Sequence, residues 1–162
     1  VSGVGFSINP TNNCYDEVAI SANFGLGESV VGGTVTPDTY VVDRFDPKES
    51  KISERKVAAK TSSVWLEKDG GTRREDNDED KSSAPALSDE QILEVAALVC
   101  RVEESVPVDV EWAFDKGGKL HLLQARPVTT YLPLFPEMIT GRGEEKKLYL
   151  DVMVLTQGFS DP

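Results

Sequence analysis

The chain has 162 residues, of which 39% are hydrophobic and 28% are charged, a composition typical of a globular protein with a substantial core. The net charge of −11 argues against a nucleic-acid partner, which requires a basic surface, and no apolar run approaches the ~18 residues of a membrane span. The opening VSGVGFSINP lacks a signal-peptide pattern and a Met, and the two cysteines are far apart, so we expect a fragment of a cytoplasmic protein with free thiols.

Short alternations of apolar and polar residues predict several strands in the first half of the chain. Three of them run from Val4 to Ile8, from Glu17 to Phe24 and from Thr39 to Asp43, and turn-forming residues separate them. Two further strands are predicted from Lys51 to Val57 and from Ser62 to Leu66.

A glycine-rich stretch, FGLGESVVGG, follows the second predicted strand, as a phosphate-binding loop would. The dinucleotide pattern GxGxxG fails because Val30 replaces its third glycine, and the P-loop pattern fails because Gly33 stands where lysine is required. Spacing alone therefore favours a plain tight turn, although Gly25 and Gly27 would let a ligand approach the backbone closely.

The segment from Lys68 to Ala86 is polar and charged, and it predicts an exposed, mobile loop. Its acidic run starting at Glu75 lacks the glycine and the final acid of an EF-hand loop, so we interpret it as solvated.

A helix is predicted from Ser88 to about Glu104. Ser88 is a good N-cap, and Gln91 completes a capping box. The apolar residues that recur at helical spacing are Ile92, Val95, Ala96 and Val99.

The stretch VDVEWAFDKGGKLHLLQARPVTT, residues 108–130, predicts a β-hairpin around its Gly-Gly pair. A turn of even length would pair Lys116 with Lys119. Four polar side chains then share one face, with Glu111 opposite Gln124 and Asp109 opposite Arg126. The predicted core face carries Val110, Trp112, Phe114, Leu123 and Ala125. His121 is expected on this core face, in a structural role.

The four polar side chains suggest a metal–phosphate site. A carboxylate beside an amide oxygen suits Mg²⁺, and the guanidinium of Arg126 suits phosphate oxygens. Spacing alone leaves a second interpretation open, in which Asp109 and Arg126 form an ordinary cross-strand ion pair while Glu111 and Gln124 are merely solvated.

The hairpin sequence DVEWAFDKGGKLHLLQARPVTT resembles the end of the nucleotide-binding domain in the phosphoenolpyruvate synthase and pyruvate phosphate dikinase family. Three other stretches resemble the same family in the same order, namely SGVGFSINP, EVAISANFGLGESVVGGTVTPDTYVVDR and ALSDEQILEVAALVCRVEE. The resemblance covers most of residues 1–130, and four ordered segments make it specific.

The resemblance implies the C-terminal half of an ATP-grasp domain over residues 1–130, an α+β fold with a mainly antiparallel sheet and packed helices. Residues 131–162 would be a linker and the truncated start of the next domain. The resemblance also implies that Glu111 and Gln124 bind Mg²⁺ and that Arg126 is the catalytic residue that contacts the ATP phosphates. The other implied phosphate-binding residues are Gly25, Gly27, Glu28 and Asp109.

The family cleaves ATP and passes a phosphoryl group to a carrier histidine on another domain, and then to pyruvate. The N-terminal ATP-grasp lobe would precede Val1 and the phosphohistidine domain would follow Pro162, so we expect this chain alone to be inactive. Two alternatives remain: an antibiotic kinase that resembles rifampin phosphotransferase, and a non-catalytic ATP-grasp remnant that acts as a binding module.

Overall fold

The computed structural model describes residues 1–44, 49–103 and 105–131, together with residues 135, 138, 144 and 145. Val1–Tyr131 form one compact unit, and Leu132–Pro162 form a second. The linker and next domain predicted at 131–162 lie almost entirely outside the described residues. No helix in the described ranges is long and apolar enough to cross a membrane.

The described residues form eight strands and three helices. In chain order they are β1 (Ser2–Phe6), β2 (Glu17–Asn23), α1 (Glu28–Val31), β3 (Asp38–Asp43), β4 (Lys51–Lys56), β5 (Ser62–Leu66), β6 (Thr72–Asp76), α2 (Glu79–Ser83), α3 (Asp89–Val102), β7 (Val108–Phe114) and β8 (Leu120–Pro127). The five predicted strands of the first half correspond to β1 to β5, with small shifts at their ends.

Six strands form one antiparallel sheet in the order β4-β3-β2-β1-β7-β8, and β5 and β6 form a separate antiparallel pair. The predicted α+β class with a mainly antiparallel sheet is therefore confirmed. In this order β7 and β8 lie beside β1, while β2 leads directly into the glycine-rich loop.

Helix α3 packs on one face of the sheet. Its capping box is complete, because the Ser88 hydroxyl accepts from the Gln91 amide at 3.3 Å and the Gln91 side chain accepts from the Ser88 amide at 3.0 Å. The helix ends at Val102, slightly before the predicted Glu104. The core between the helix and the sheet includes Ile92, Val95 and Val99 from α3, Val18 and Ile20 from β2, Tyr40 and Val42 from β3, and Val110 and Trp112 from β7.

Two glycines in β1 allow α3 and Trp112 to approach the sheet. A Cβ on Gly5 would lie 2.7 Å from Cγ2 of Val99, and one on Gly3 would lie 3.0 Å from the Trp112 ring and 1.9 Å from the Ser21 carbonyl oxygen. Any side chain at these positions would displace the helix or the neighbouring strand.

The prediction of a loop from Lys68 to Ala86 is wrong, although most of the segment is exposed as predicted. Thr72–Asp76 form β6, which pairs with β5, and Glu79–Ser83 form α2. The acidic run stabilises α2. Asp78 caps this helix by accepting from the Lys81 amide at 2.8 Å, and Glu79 and Asp80 occupy its first turn.

Candidate functional site

The β7–β8 hairpin brings the four predicted polar residues together. Glu111 is paired with Gln124, and Asp109 is paired with Arg126, as the sequence predicts. Both pairs belong to the face opposite α3, because the alternate residues Val110 and Trp112 are fully buried on the helix side. Directly opposed residues have Cβ atoms ~5 Å apart, so these side chains converge on a small patch.

The turn of the hairpin differs from the prediction. The last pair before it is Phe114 with Leu120, and the Asp115 amide donates to the Lys119 carbonyl at 3.0 Å. The loop between Asp115 and Lys119 therefore contains three residues, with Gly118 in the left-handed region at φ +79. Asp115 fixes this loop because its side chain accepts from the amides of Gly117 at 2.8 Å and Lys119 at 3.0 Å.

A β-bulge compensates for the odd loop. The register shifts between Glu111 and Trp112, because Trp112 pairs with Leu122 whereas Glu111 pairs with Gln124. Leu123 is the extra residue, and the predicted pairing is restored beyond it. The site register is thus correct although the pairing of Lys116 with Lys119 is wrong.

The bulge moves His121 to the other face of the hairpin. His121 pairs with Ala113 and therefore shares the face of Glu111, whereas the sequence predicts the core face. Its Nε2 lies 2.9 Å from the Asp115 carboxylate. This hydrogen bond, helped by the turn amides, lowers the pKa of Asp115 to about 2.

Strand β8 contributes less to the core than the sequence predicts. Val110, Trp112 and Phe114 of β7 are buried, which confirms the core side of that strand. Leu123, however, is 61% exposed and Ala125 is also exposed. The reason is that β8 is the edge strand, with β7 as its neighbour in the described sheet, and that Leu123 is the extra residue of the bulge.

Arg126 is held by Asp109 at the edge of the sheet. The Arg126 Nε donates to Oδ2 of Asp109 at 2.8 Å, and this hydrogen bond raises the pKa of the guanidinium above its ordinary value. The Asp109 side chain is only 11% exposed, while that of Arg126 is 53% exposed. The buried carboxylate of Asp109 therefore orients the guanidinium of Arg126 and leaves much of it accessible to an anion.

The donor set fits a hard cation. Glu111 is half-buried and Gln124 is exposed, and they supply a carboxylate and an amide oxygen at facing positions. Asp109 Oδ1 is buried and has no hydrogen-bond partner among the described residues. No cluster of three or more His, Cys, Asp or Glu residues suited to a metal occurs in the same ranges. Mg²⁺ requires only one or two carboxylates when phosphates and water complete its coordination.

The glycine-rich loop is anchored close to the end of β7. The Ser2 hydroxyl donates to the Gly25 carbonyl at 2.7 Å, and Ser2 pairs with Ala113, two residues beyond Glu111. Gly25 has φ +80, and its Cα faces the Val64 carbonyl so closely that a Cβ would lie 2.1 Å from that oxygen. Its glycine identity is thus explained by packing against β5.

The two other predicted loop residues lie at the start of α1. Gly27 is the N-cap of this helix, and Glu28 is its first residue; both are partly exposed. The loop is therefore on the accessible surface beside β1, and Gly27 and Glu28 remain predicted phosphate-binding residues.

The sequence does not reveal how Asn23 closes the glycine-rich loop. Asn23 is fully buried, and its amide nitrogen donates to the Ser29 hydroxyl at 2.9 Å and to the Ser62 carbonyl at 3.1 Å. Its carbonyl oxygen accepts from the Phe24 amide at 2.8 Å. Strand alternation gives no sign of this burial, because the partners of the Asn23 amide nitrogen come from α1 and from β5, a strand of the other sheet.

Comparison with known proteins identifies the family of this hairpin and loop. Residues 1–141 match the family described as pyruvate phosphate dikinase, AMP/ATP-binding domain. A probable phosphoenolpyruvate synthase of Methanocaldococcus jannaschii is 40% identical over 131 residues, and the phosphoenolpyruvate synthase of Pyrococcus furiosus is 40% identical over 151 residues; each match covers 80% of this chain. The rifampicin phosphotransferase of Bacillus subtilis is 32% identical over 153 residues, which cover 93% of this chain.

The chain spans only 11% of the Methanocaldococcus protein and 16% of each of the other two relatives. The matched part includes the glycine-rich loop, helix α3 and the β7–β8 hairpin, since the family match runs without interruption from residue 1 to residue 141. The chain belongs to the pyruvate phosphate dikinase AMP/ATP-binding domain family.

Proposed function

We propose that this chain is the C-terminal half of an ATP-grasp domain in a phosphoenolpyruvate synthase-like enzyme. The enzyme would cleave ATP, transfer a phosphoryl group to a carrier histidine on another domain, and finally phosphorylate pyruvate. The proposal rests above all on the register that sets Glu111 opposite Gln124 and Asp109 opposite Arg126. Residues 1–130 would belong to the ATP-binding domain and 131–162 to a linker and the next domain.

Glu111 and Gln124 would hold Mg²⁺ between them. When bound, the ion would neutralise charge on the phosphate oxygens and keep them in a defined orientation. Their pairing at directly opposed positions of a rigid two-stranded ladder keeps the two oxygen donors close before the nucleotide arrives.

Arg126 would bind the phosphates and stabilise the charge that develops during transfer. Asp109 prepares it for this role, because the 2.8 Å hydrogen bond to Nε fixes the plane of the guanidinium and leaves the terminal nitrogens for the ligand. Gly25, Gly27 and Glu28 would line the phosphates from the glycine-rich loop.

The remaining machinery would come from other parts of the natural protein. An N-terminal ATP-grasp lobe would complete the nucleotide site, and a phosphohistidine domain would receive the phosphoryl group. His121 is a poor carrier, because it lies at the tip of the hairpin and contacts Asp115. We expect the protein to act in the cytoplasm and the 162-residue chain alone to lack turnover.

A second candidate acceptor is an antibiotic of the rifampicin type. The match to the Bacillus subtilis rifampicin phosphotransferase favours this acceptor. It covers a larger share of this chain than the synthase matches do, although its sequence identity is lower. The roles of Glu111, Gln124 and Arg126 would be the same for both acceptors. A remnant without catalysis would keep the fold but would not depend on these side chains.

The proposal is tested by calorimetric titration of the natural full-length protein with a non-hydrolysable ATP analogue, with and without Mg²⁺. We expect Glu111→Gln to abolish the dependence on Mg²⁺, and Arg126→Ala to weaken binding roughly tenfold to a hundredfold. Glu54→Gln, which removes an exposed carboxylate from the opposite edge strand, is the matched control. Full nucleotide affinity and Mg²⁺ dependence in both site variants would refute the assignment and favour the remnant.

A product assay then separates the acceptors. With ATP and Mg²⁺, the wild-type protein should form phosphoenolpyruvate from pyruvate. Phosphorylation of rifampicin, but not of pyruvate, would identify the antibiotic kinase instead.

A further inference from the structure

A fully buried ion pair lies outside the proposed site. Lys60 Nζ lies 2.7 Å from Oδ1 of Asp38, and both side chains are 0% exposed. Burying two charges destabilises the fold unless further hydrogen bonds satisfy them. We therefore expect both groups to have additional hydrogen-bond partners.

Asp38 joins three segments of the chain through its two oxygens. Oδ1 accepts from the Ala58 amide at 2.9 Å as well as from Lys60, and Oδ2 accepts from the Ala86 amide at 2.8 Å and from the Tyr40 hydroxyl at 3.1 Å. Strand β3, the segment before β5 and the segment before α3 therefore meet at one carboxylate.

Lys60 extends this junction toward the glycine-rich loop. Its Nζ lies 5.4 Å from the centroid of the Phe24 ring, within range of a cation–π contact, and Phe24 directly precedes Gly25. Its backbone is fixed as well, because the Lys60 amide donates to the Ser82 carbonyl at 3.1 Å and its carbonyl accepts from the Asn77 side chain at 2.7 Å.

The strand that follows Lys60 carries the loop directly. The Val64 carbonyl accepts from the Leu26 amide at 2.7 Å, and the Ser62 carbonyl accepts from the Asn23 side chain. Lys60 thus contacts the loop through the face of the Phe24 ring, and it lies two residues before the strand whose carbonyls hold the loop.

We propose that Lys60 is a positioning residue for the glycine-rich loop, and that its pairing with Asp38 fixes the loop in the conformation that receives the nucleotide phosphates. The second half of this statement rests on the proposed function. The first half concerns only the loop and its support, and it is measurable without nucleotide.

The test uses the natural full-length protein with Lys60→Met, which keeps the aliphatic stem and removes the charge. Phe24→Leu is the second variant; it removes the ring while leaving the buried pair in place, so it stays informative if Lys60→Met fails to fold. Phe24→Tyr restores a ring face. Arg55→Met is the matched control, since it breaks an exposed ion pair with Asp89 and Arg55 lies on β4, the edge strand that β3 separates from β2 and its loop.

Three measurements are made: hydrogen exchange of residues 24–31 without nucleotide, the Kd of the Mg²⁺ complex of a non-hydrolysable ATP analogue, and steady-state kinetics with ATP. We expect Lys60→Met and Phe24→Leu each to speed exchange and weaken binding about tenfold, and kcat at saturating ATP to change less than KM. Phe24→Tyr and Arg55→Met should resemble the wild type.

The outcomes separate the two proposals. Unchanged loop exchange in Phe24→Leu, and in Lys60→Met if that variant folds, would overturn the positioning role. Faster exchange with unchanged nucleotide affinity would overturn its link to phosphate binding. A wild-type protein that binds no nucleotide would instead refute the proposed function, and with it that link, while the exchange data would still decide whether Lys60 orders the loop.

Discussion

The two glycines of β1 provide a quantitative test of the packing that supports the site. Gly5→Ala would place a methyl group 2.7 Å from Cγ2 of Val99, which is fully buried and, being β-branched, has little rotamer freedom. Such overpacking costs about 1–3 kcal/mol. Gly3→Ala would place its methyl group 1.9 Å from the Ser21 carbonyl oxygen, in the backbone of β2, which cannot move aside. We therefore expect Gly3→Ala to destabilise the protein more than Gly5→Ala.

Only one of these clashes is with a side chain that can be shortened. Val99→Ala alone should cost about 2 kcal/mol, from the loss of two buried methyl groups and the cavity that remains. In the double variant Gly5→Ala/Val99→Ala the new methyl group occupies part of that space. We expect the double variant to be at least ~1 kcal/mol more stable than the sum of the single changes predicts, and we expect no such coupling between Gly3→Ala and Val99→Ala.

The measurement is urea unfolding followed by tryptophan fluorescence, with the free energies of unfolding compared at constant m-value. Additive effects of Gly5→Ala and Val99→Ala would show that α3 does not lie against β1 as described. Equal losses for Gly3→Ala and Gly5→Ala would contradict the distinction between a backbone clash and a side-chain clash.

Three further predictions concern titratable groups. Burial, together with the neighbouring Asp38 carboxylate, raises the pKa of Tyr40 from 10.0 to about 12. The stability linked to this group is therefore fully present below pH 10 and is lost as the pH rises through 12, and Tyr40→Phe should flatten the alkaline part of a urea stability–pH profile. The hydrogen bond to His121 lowers the pKa of Asp115, so the stability that this carboxylate contributes is present above pH 3.8 and is lost as the pH falls toward 2. An NMR titration of its carboxyl carbon should have its midpoint near pH 2, and a midpoint at the ordinary value for aspartate would rule out this contact. Asp109→Asn should change the free energy of unfolding by less than about 1 kcal/mol, because Arg126 is half-exposed. The same change should weaken nucleotide binding measured by calorimetry, and an unchanged affinity would mean that Asp109 does not orient the guanidinium.

The pairing of β7 with β8 could be predicted because period-two alternation and a glycine turn leave few registers. The face of His121 could not, because it depends on a three-residue loop and a compensating bulge near Leu123. One signal was present in the sequence: an aspartate at the start of a turn, as at Asp115, often binds the amides that follow it. Helix α3 was predictable to within a residue or two because its capping box and apolar stripe are local features.

The buried pair of Lys60 and Asp38 had no such signal. The two residues are 22 positions apart, and Lys60 lies between two strands in a segment without periodicity. Its burial depends on Asp38 of β3, on Phe24 and on Ser82 of α2, all of which are distant from it in the sequence. The prediction of a loop after Lys68 fails for a related reason, since strand pairing with β5 orders residues whose composition alone suggests a solvated loop.

The bulge in the hairpin has a consequence for protein engineering. The three-residue loop shifts the pairing of β7 with β8 by one residue relative to a two-residue loop, and the bulge at Leu123 shifts it back, so that Glu111 pairs with Gln124. Deleting Leu123 alone would make the pairs Trp112–Leu122 and Glu111–Gln124 consecutive in a regular ladder, so a designer could remove the bulge without changing the loop. This deletion should preserve the alignment of the oxygen donors, whereas a regular ladder that retained Leu123 would pair Glu111 with Leu123 and turn Gln124 to the other face.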